Sequence, residues 1–150
     1  MDRDHVMRRA LWASVVYNLG GTLLFAFPSS LGGLAGLPMP VPRVYTALLA
    51  VFVALFGGAY AWLARQARID RPLVAMAALG KAGVFAVILS CWLLGEVPGR
   101  GVLAVSGDLA FAVVFAWWLL ADPAADASRT VQRGASTDVS AAGSRRQSRG

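Results

Sequence analysis

The sequence has very little of the chemistry that most enzymes and metalloproteins use. Its single cysteine, Cys91, cannot form a disulfide within the chain. Its single histidine, His5, has no second histidine or cysteine nearby, so the spacing of a metal site is missing. There is also no pairing of a nucleophile with a base and no phosphate-binding loop. We therefore expect no catalytic residue, no metal and no cofactor, and the sequence favours a protein that is not an enzyme.

Charged residues are scarce as well, at 15% of the 150 residues, whereas 57% are hydrophobic. These proportions lie outside those of an ordinary soluble domain. Four apolar runs are long enough to cross ~30 Å of hydrocarbon as helices. They are residues 10–27, 44–64, 72–95 and 102–121. The sequence therefore predicts an all-α membrane protein, an antiparallel bundle of four transmembrane helices in the lipid bilayer.

The arginines are unevenly distributed around these predicted spans. Eleven of them fall before the first span, between the second and third spans, or after the fourth. Only Arg43 and Arg100 fall in the other two connectors. The positive-inside rule then predicts a multi-pass protein of the cell inner (plasma) membrane with both termini in the cytoplasm. The same clustering at span ends argues against nucleic-acid binding, despite a net charge of +6.

The tryptophans support the same spans, because all five lie near predicted span ends, where their rings suit the lipid headgroup region. They are Trp12, Trp62, Trp92, Trp117 and Trp118.

The segments outside the spans have distinct compositions. Residues 1–9 form a basic cytoplasmic leader before an apolar run of about 18 residues, which exceeds the ~7–15 of a secretory signal core, so we expect a retained helix. Residues 28–43 are rich in glycine and proline yet apolar, which predicts a segment on the outer surface or a lid over the bundle mouth. Residues 122–150 have almost no large apolar residue, which predicts a disordered basic cytoplasmic tail.

The only lysine of the chain, Lys81, is the only charged residue between Pro72 and Gly95. A rise of ~1.5 Å per residue places it about 14 Å from the cytoplasmic face, and Asp108 of the fourth span about 9 Å from the outer face. The lysine stem can close the remaining ~7 Å. A charge at the bilayer centre costs ~2.5–3.5 kcal/mol unless it is paired or hydrated. We therefore predict that Lys81 and Asp108 form a buried pair.

Other polar residues fall near the same level. Ser14, Asn18 and Thr22 share one stripe of the first span, and the amide of Asn18 can hydrogen-bond either charge. Tyr60 of the second span adds a hydroxyl among small residues that allow close helix approach. Three interpretations stay open: the pair fixes the register of two helices, it lines a polar cavity for a ligand headgroup or a proton, or another subunit completes it.

The order of several short motifs resembles that of a known group. "FGGAYAWLA", a basic link, "LGKAGVF", "GEVP" and "GDLAF" follow one another within residues 10–121. This pattern resembles a group of small uncharacterised bacterial four-helix membrane proteins, and the architecture is similar to the DoxX-like set. The resemblance implies a fold and a membrane location but carries no reaction.

Two functions are consistent with these features. The first is an integral membrane protein that binds a small amphiphile, such as a quinone, a sterol-like lipid or a fatty acyl chain, with its polar end facing Lys81, Asp108 and Asn18. The second is an accessory or structural subunit that packs against another membrane protein or against a second copy of itself. A lone Lys–Asp pair could do acid–base work, but nothing else in the sequence supports catalysis.

Overall fold

The computed structural model describes residues 3–36 and 40–121, and these residues form helices joined by short connectors, with no strand among them. The helices are α1 (Arg3–Ala26), a π-helical turn (Pro28–Gly32), α2 (Gly33–Ala35), α3 (Arg43–Arg65), α4 (Arg71–Leu93) and α5 (Gly99–Leu120). The predicted all-α class is confirmed. The predicted disordered tail, residues 122–150, lies outside the described residues.

Three helices, α3, α4 and α5, are long and apolar enough to cross a membrane. With 22 or 23 residues each, they extend about 33–35 Å at ~1.5 Å per residue. The first helix, α1, carries charged residues in its first two turns and meets the same criterion only together with the segment that follows it. The described chain therefore has three candidate spans, or four if this bent pair is one span, which indicates a multi-pass membrane protein.

The predicted boundaries of the last three spans differ from the helix ends by one to three residues. The first span differs more, because α1 begins at Arg3 rather than at residue 10. The predicted leader is therefore largely helical. Met7 and Leu11, one turn apart on α1, are both fully buried. The first turns of α1 therefore contribute to the core, which favours a helix that begins before the apolar run.

The chain bends by 102° between α1 and the Pro28–Ala35 segment. Pro28 has no amide hydrogen and cannot continue the α-helical hydrogen bonds. Instead, the Phe27 carbonyl accepts from the amides of Leu31 at 3.0 Å and Gly32 at 3.2 Å, which forms the π-helical turn. After α2 the chain leaves through Gly36 at φ +86°, a left-handed conformation that glycine adopts without steric cost. There the backbone lies against the side chain of Arg100, so this connector contacts the first turn of α5.

Helices α1 and α3 run in opposite directions and approach each other closely. Near one end the Arg8 guanidinium donates to the Ala64 carbonyl at 2.6 Å, and ten residues further along α1, Asn18 Nδ2 donates to the Val53 carbonyl at 3.2 Å. The two helices are tightest at Gly21, where an added Cβ would lie 3.3 Å from Val53 Cγ1.

Helix α5 is antiparallel to α1. The Trp118 indole donates to Asp4 Oδ1 at 3.2 Å, and the Tyr17 hydroxyl donates to the Ala104 carbonyl at 2.6 Å. The first contact also corrects a prediction, because Trp118 is buried in the protein, whereas the other four tryptophans are exposed. Its position in the sequence suits the headgroup region, but its side chain points inward.

Two arginines donate to carbonyl groups at helix C-termini, where the intrahelical partners run out. Arg8 bonds the carbonyls of Ala64 and Ala67 at the end of α3, and Arg71 bonds the carbonyl of Leu119 at 2.6 Å at the end of α5. At the start of α4, the Asp70 carboxylate accepts from the Leu73 amide at 3.1 Å, a side-chain N-cap. These contacts all lie at the same end of the helices, and the two arginines join α1 to α3 and α4 to α5 there.

The buried apolar side chains gather at this same end, which we call the packed half. They come from the start of α1, the end of α3, the connector that follows it, the start of α4 and the end of α5. The set comprises Met7, Leu11, Tyr60, Leu63, Ala64, Ile69, Val74, Ala77, Phe115 and Trp118. The opposite end of the helices contributes almost none of this core.

Candidate functional site

The half opposite the packed half contains a cavity of about 510 Å³. All four long helices line it, and Ala35 and Gly36 of the connector after α1 add to its wall. We call it the bundle cavity. Its lining is Val16, Tyr17, Asn18, Gly20, Gly21, Leu24, Phe25, Ala35, Gly36, Val53, Phe56, Tyr60, Gly80, Lys81, Val84, Ile88, Val97, Gly101, Ala104, Val105 and Asp108. Two residues of the predicted glycine- and proline-rich connector therefore contribute to the cavity wall.

The ion pair that the sequence predicts between α4 and α5 is present and lines this cavity. Lys81 Nζ lies 2.7 Å from Asp108 Oδ1, at the short end of the range for a charge-assisted hydrogen bond. The lysine side chain is 4% exposed and the aspartate side chain 12%. The lysine stem therefore spans the difference in membrane depth between Lys81 and Asp108 that helical rise predicts.

Asn18 joins the pair from α1. Its Oδ1 accepts from Lys81 Nζ at 3.3 Å, and its Nδ2 donates to the Val53 carbonyl on α3 at 3.2 Å. The bond to Val53 fixes the amide with its oxygen toward the ammonium. Four helices thus meet at one polar cluster of Lys81, Asp108 and Asn18.

Three aromatic rings surround the ammonium. Lys81 Nζ lies 5.1 Å from the ring centroids of Tyr17 and Phe111, and 5.3 Å from that of Tyr60. These distances are within the ~6 Å at which a ring face attracts a cation. Tyr60, which the sequence predicts near the pair, therefore contributes its ring to the site. The rings attract the charge but provide no conventional hydrogen-bond acceptor for the N–H groups of Lys81.

Tyr17 was missed in the sequence, yet it contacts the pair more directly than Tyr60. Its hydroxyl lies 2.6 Å from the Ala104 carbonyl and 3.4 Å from Asp108 Oδ2. Gly107 provides the space for this ring, since a Cβ there would be 2.6 Å from Tyr17 Cε2. The only signal in the sequence for this contact was the glycine at 107, directly before Asp108, which leaves room for a ring from another helix.

Two members of the predicted α1 stripe lie outside the cavity. The Thr22 hydroxyl donates to the Asn18 carbonyl of its own helix at 2.9 Å, so the structure does not bring it to the ion pair. Ser14 is fully buried, and its hydroxyl has no hydrogen-bond partner among the described residues. Helical spacing placed Ser14, Asn18 and Thr22 on one face, but only Asn18 faces the ammonium.

The described residues contain no group of three or more histidine, cysteine, aspartate or glutamate side chains that could hold a metal ion. What the arrangement offers is a polar cluster with cancelling charges at one end of an otherwise apolar cavity. Such a cavity suits a molecule with one polar end and an apolar body.

Comparison with known proteins finds no family model, no curated protein and no solved structure that matches this chain.

Proposed function

We propose that this protein is a four-span antiparallel bundle of the inner membrane with both termini in the cytoplasm. The bent segment after α1 then lies at the outer end of the bundle. Six of the described arginines, namely Arg3, Arg8, Arg9, Arg65, Arg68 and Arg71, belong to the packed half or its connector, and Arg43 and Arg100 to the other end. By the positive-inside rule the packed half faces the cytoplasm and the bundle cavity faces the outer leaflet. The resemblance to DoxX-like proteins fits this proposal.

Within this bundle, we propose that the cavity binds one small amphiphile. The observation that carries the proposal is the placement of the ion pair at one end of an apolar cavity. On α4 the lining continues from Lys81 to Ile88. From Val97, just before α5, it runs along that helix to Asp108, so the apolar walls extend from the pair in one direction only. A ligand would place its polar end near mid-membrane and its apolar body toward the outer leaflet.

The size of the cavity is in keeping with this function. Its volume of about 510 Å³ falls within the ~300–1,000 Å³ typical of small-molecule sites. Intramembrane ionisable residues are also costly, so their presence beside a cavity favours a functional role over a purely structural one. Binding is the function that the geometry supports best.

The test uses two glycines of α4 that have equal room for a larger side chain but lie on different sides of the cavity wall. Gly80 lines the cavity, Gly83 does not, and a Cβ at either would meet no atom within 4 Å. Gly80→Leu should fill the cavity beside Lys81, and Gly83→Leu should add a side chain outside it. We expect organic extracts of the purified wild type and of Gly83→Leu to contain an amphiphile near one per chain by mass spectrometry, and the Gly80→Leu extract to lack it. Equal amounts from all three proteins would contradict binding in this cavity.

The second candidate function is an accessory subunit or a homo-oligomer. A shallow apolar groove on the outward face of α3 favours it, because small residues there permit another helix to approach closely. The groove is lined by Val51, Ala54, Leu55, Gly58, Ala59 and Trp62. Purification in mild detergent should recover a stoichiometric partner or a dimer if this function holds, and Gly58→Leu should release it. A monomer of the wild type would count against it.

A further inference from the structure

The ion pair of the bundle cavity has one hydrogen-bond donor left over. A lysine ammonium carries three N–H donors. Two of them have acceptors among the described residues, Asp108 Oδ1 at 2.7 Å and Asn18 Oδ1 at 3.3 Å. The third has only aromatic rings and the cavity around it. A bound molecule can therefore accept a hydrogen bond from Lys81.

The pair also has one acceptor left over. The Tyr17 hydroxyl has a single hydrogen, and the Ala104 carbonyl at 2.6 Å is its closer acceptor. Its distance of 3.4 Å to Asp108 Oδ2 exceeds the ~2.5–3.0 Å of a good O–H···O bond. Among the described residues Oδ2 has no other donor, and the Asp108 side chain is 12% exposed beside the cavity. A bound molecule can therefore donate a hydrogen bond to Asp108.

The charge of the cavity restricts the ligand further. Lys81 and Asp108 are the only charged residues in its lining, and their charges cancel. A carboxylate or phosphate near Lys81 would also lie beside the Asp108 carboxylate, and an added charge in this apolar surrounding would have no counter-ion. The site therefore disfavours charged headgroups of either sign.

Resting on the proposed function, we infer that the bundle cavity selects an uncharged amphiphile whose polar end is a hydroxyl group. The hydroxyl oxygen accepts from the third N–H of Lys81, and its hydrogen is donated to Asp108 Oδ2. One small group then satisfies both leftover atoms. An ester or ketone can satisfy only the lysine, and a carboxylate satisfies the lysine but repels the aspartate.

The test compares three probes with the same twelve-carbon chain: 1-dodecanol, methyl dodecanoate and dodecanoate. The full-length protein is reconstituted in phosphatidylcholine nanodiscs at pH 8, where dodecanoate is ionised, and bound probe is measured by native mass spectrometry. Subtracting the signal of Gly80→Leu removes probe that has merely partitioned into lipid. We expect dodecanol to bind best, and each lost hydrogen bond to weaken binding by about tenfold.

The outcomes separate this inference from the proposed function. Dodecanoate or the methyl ester binding as well as dodecanol would overturn the hydroxyl preference while amphiphile binding stands. No specific binding of any probe, together with an empty extract, would overturn both.

A variant tests the role of Asp108 directly. Asp108→Asn keeps the side-chain shape and removes the negative charge, so dodecanoate becomes the natural counter-ion of Lys81. We expect the preference to invert toward dodecanoate in this variant and to be unchanged in Gly83→Leu. An unchanged preference in a folded Asp108→Asn protein would overturn the inference, and if that variant does not fold, the wild-type ranking decides alone.

Discussion

Substitutions of Lys81 and Asp108 should be strongly coupled in their effects on the free energy of unfolding. At 2.7 Å, the attraction between two unit charges is about 6 kcal/mol at an effective dielectric constant of ~20. Replacing one partner removes this attraction and leaves the other charge buried, which typically costs ~3–5 kcal/mol. Replacing both with apolar residues of similar volume removes the attraction and the desolvation cost together. We therefore expect Lys81→Met and Asp108→Leu each to destabilise by ~3–5 kcal/mol and the double variant to be within ~1 kcal/mol of the wild type.

The assay is a double-mutant cycle on the purified protein, with unfolding followed by SDS titration in mixed micelles. The same four proteins are then examined for bound amphiphile. A pair that only fixes helix register predicts a stable double variant that retains its ligand, whereas the proposed site predicts a stable double variant that has lost it. The reasoning about pairing would be refuted if the single variants were as stable as the wild type and their effects were additive.

Three further predictions concern other parts of the bundle. A reporter fused after Ala121 should be active only in its cytoplasm-sensing form, because the arginines of the packed half favour the cytoplasm. Activity of a periplasm-sensing fusion would show that the proposed topology is wrong. Arg8→Ala should lower the free energy of unfolding by ~1.5–3 kcal/mol because it removes charged hydrogen bonds to helix-end carbonyls, whereas Arg9→Ala, whose side chain is exposed and makes no hydrogen bond within the described residues, should have little effect in the same titration. Gly107→Ala should cost ~1–3 kcal/mol by overpacking against the Tyr17 ring, and adding Tyr17→Leu should recover most of that loss; a Gly107→Ala protein as stable as the wild type would show that the ring moves freely.

Elementary helix geometry was enough to predict the central contact of the site. Lys81 and Asp108 are the only charged residues deep within the last two predicted spans, and a short connector joins those spans, so depth and connectivity left each charge one natural partner. The placement of Asn18 followed in the same way from its level on the first span. These predictions succeeded because burying an unpaired charge in a membrane costs more than most other choices of packing.

Other features depended on side-chain packing that no periodicity encodes. Tyr17 precedes Asn18 by one residue and so projects from a different face of α1, but the absence of a side chain at Gly107 lets its ring reach α5. Thr22 satisfied its hydroxyl within its own helix, as threonine can at this spacing. The cavity arises from where side chains fail to fill space, which depends on the mutual distances of four helices.

The packed half and the bundle cavity place different constraints on side-chain size along the same four helices. Side chains of the packed half are in full contact, so losing one methylene there costs about 1 kcal/mol and changes are tightly constrained. Residues such as Val84 and Leu24 line empty space, and altering their size changes the shape of the cavity with little loss of packing. Substitutions at the cavity end therefore change the shape of the cavity, while the packed half continues to hold the fold.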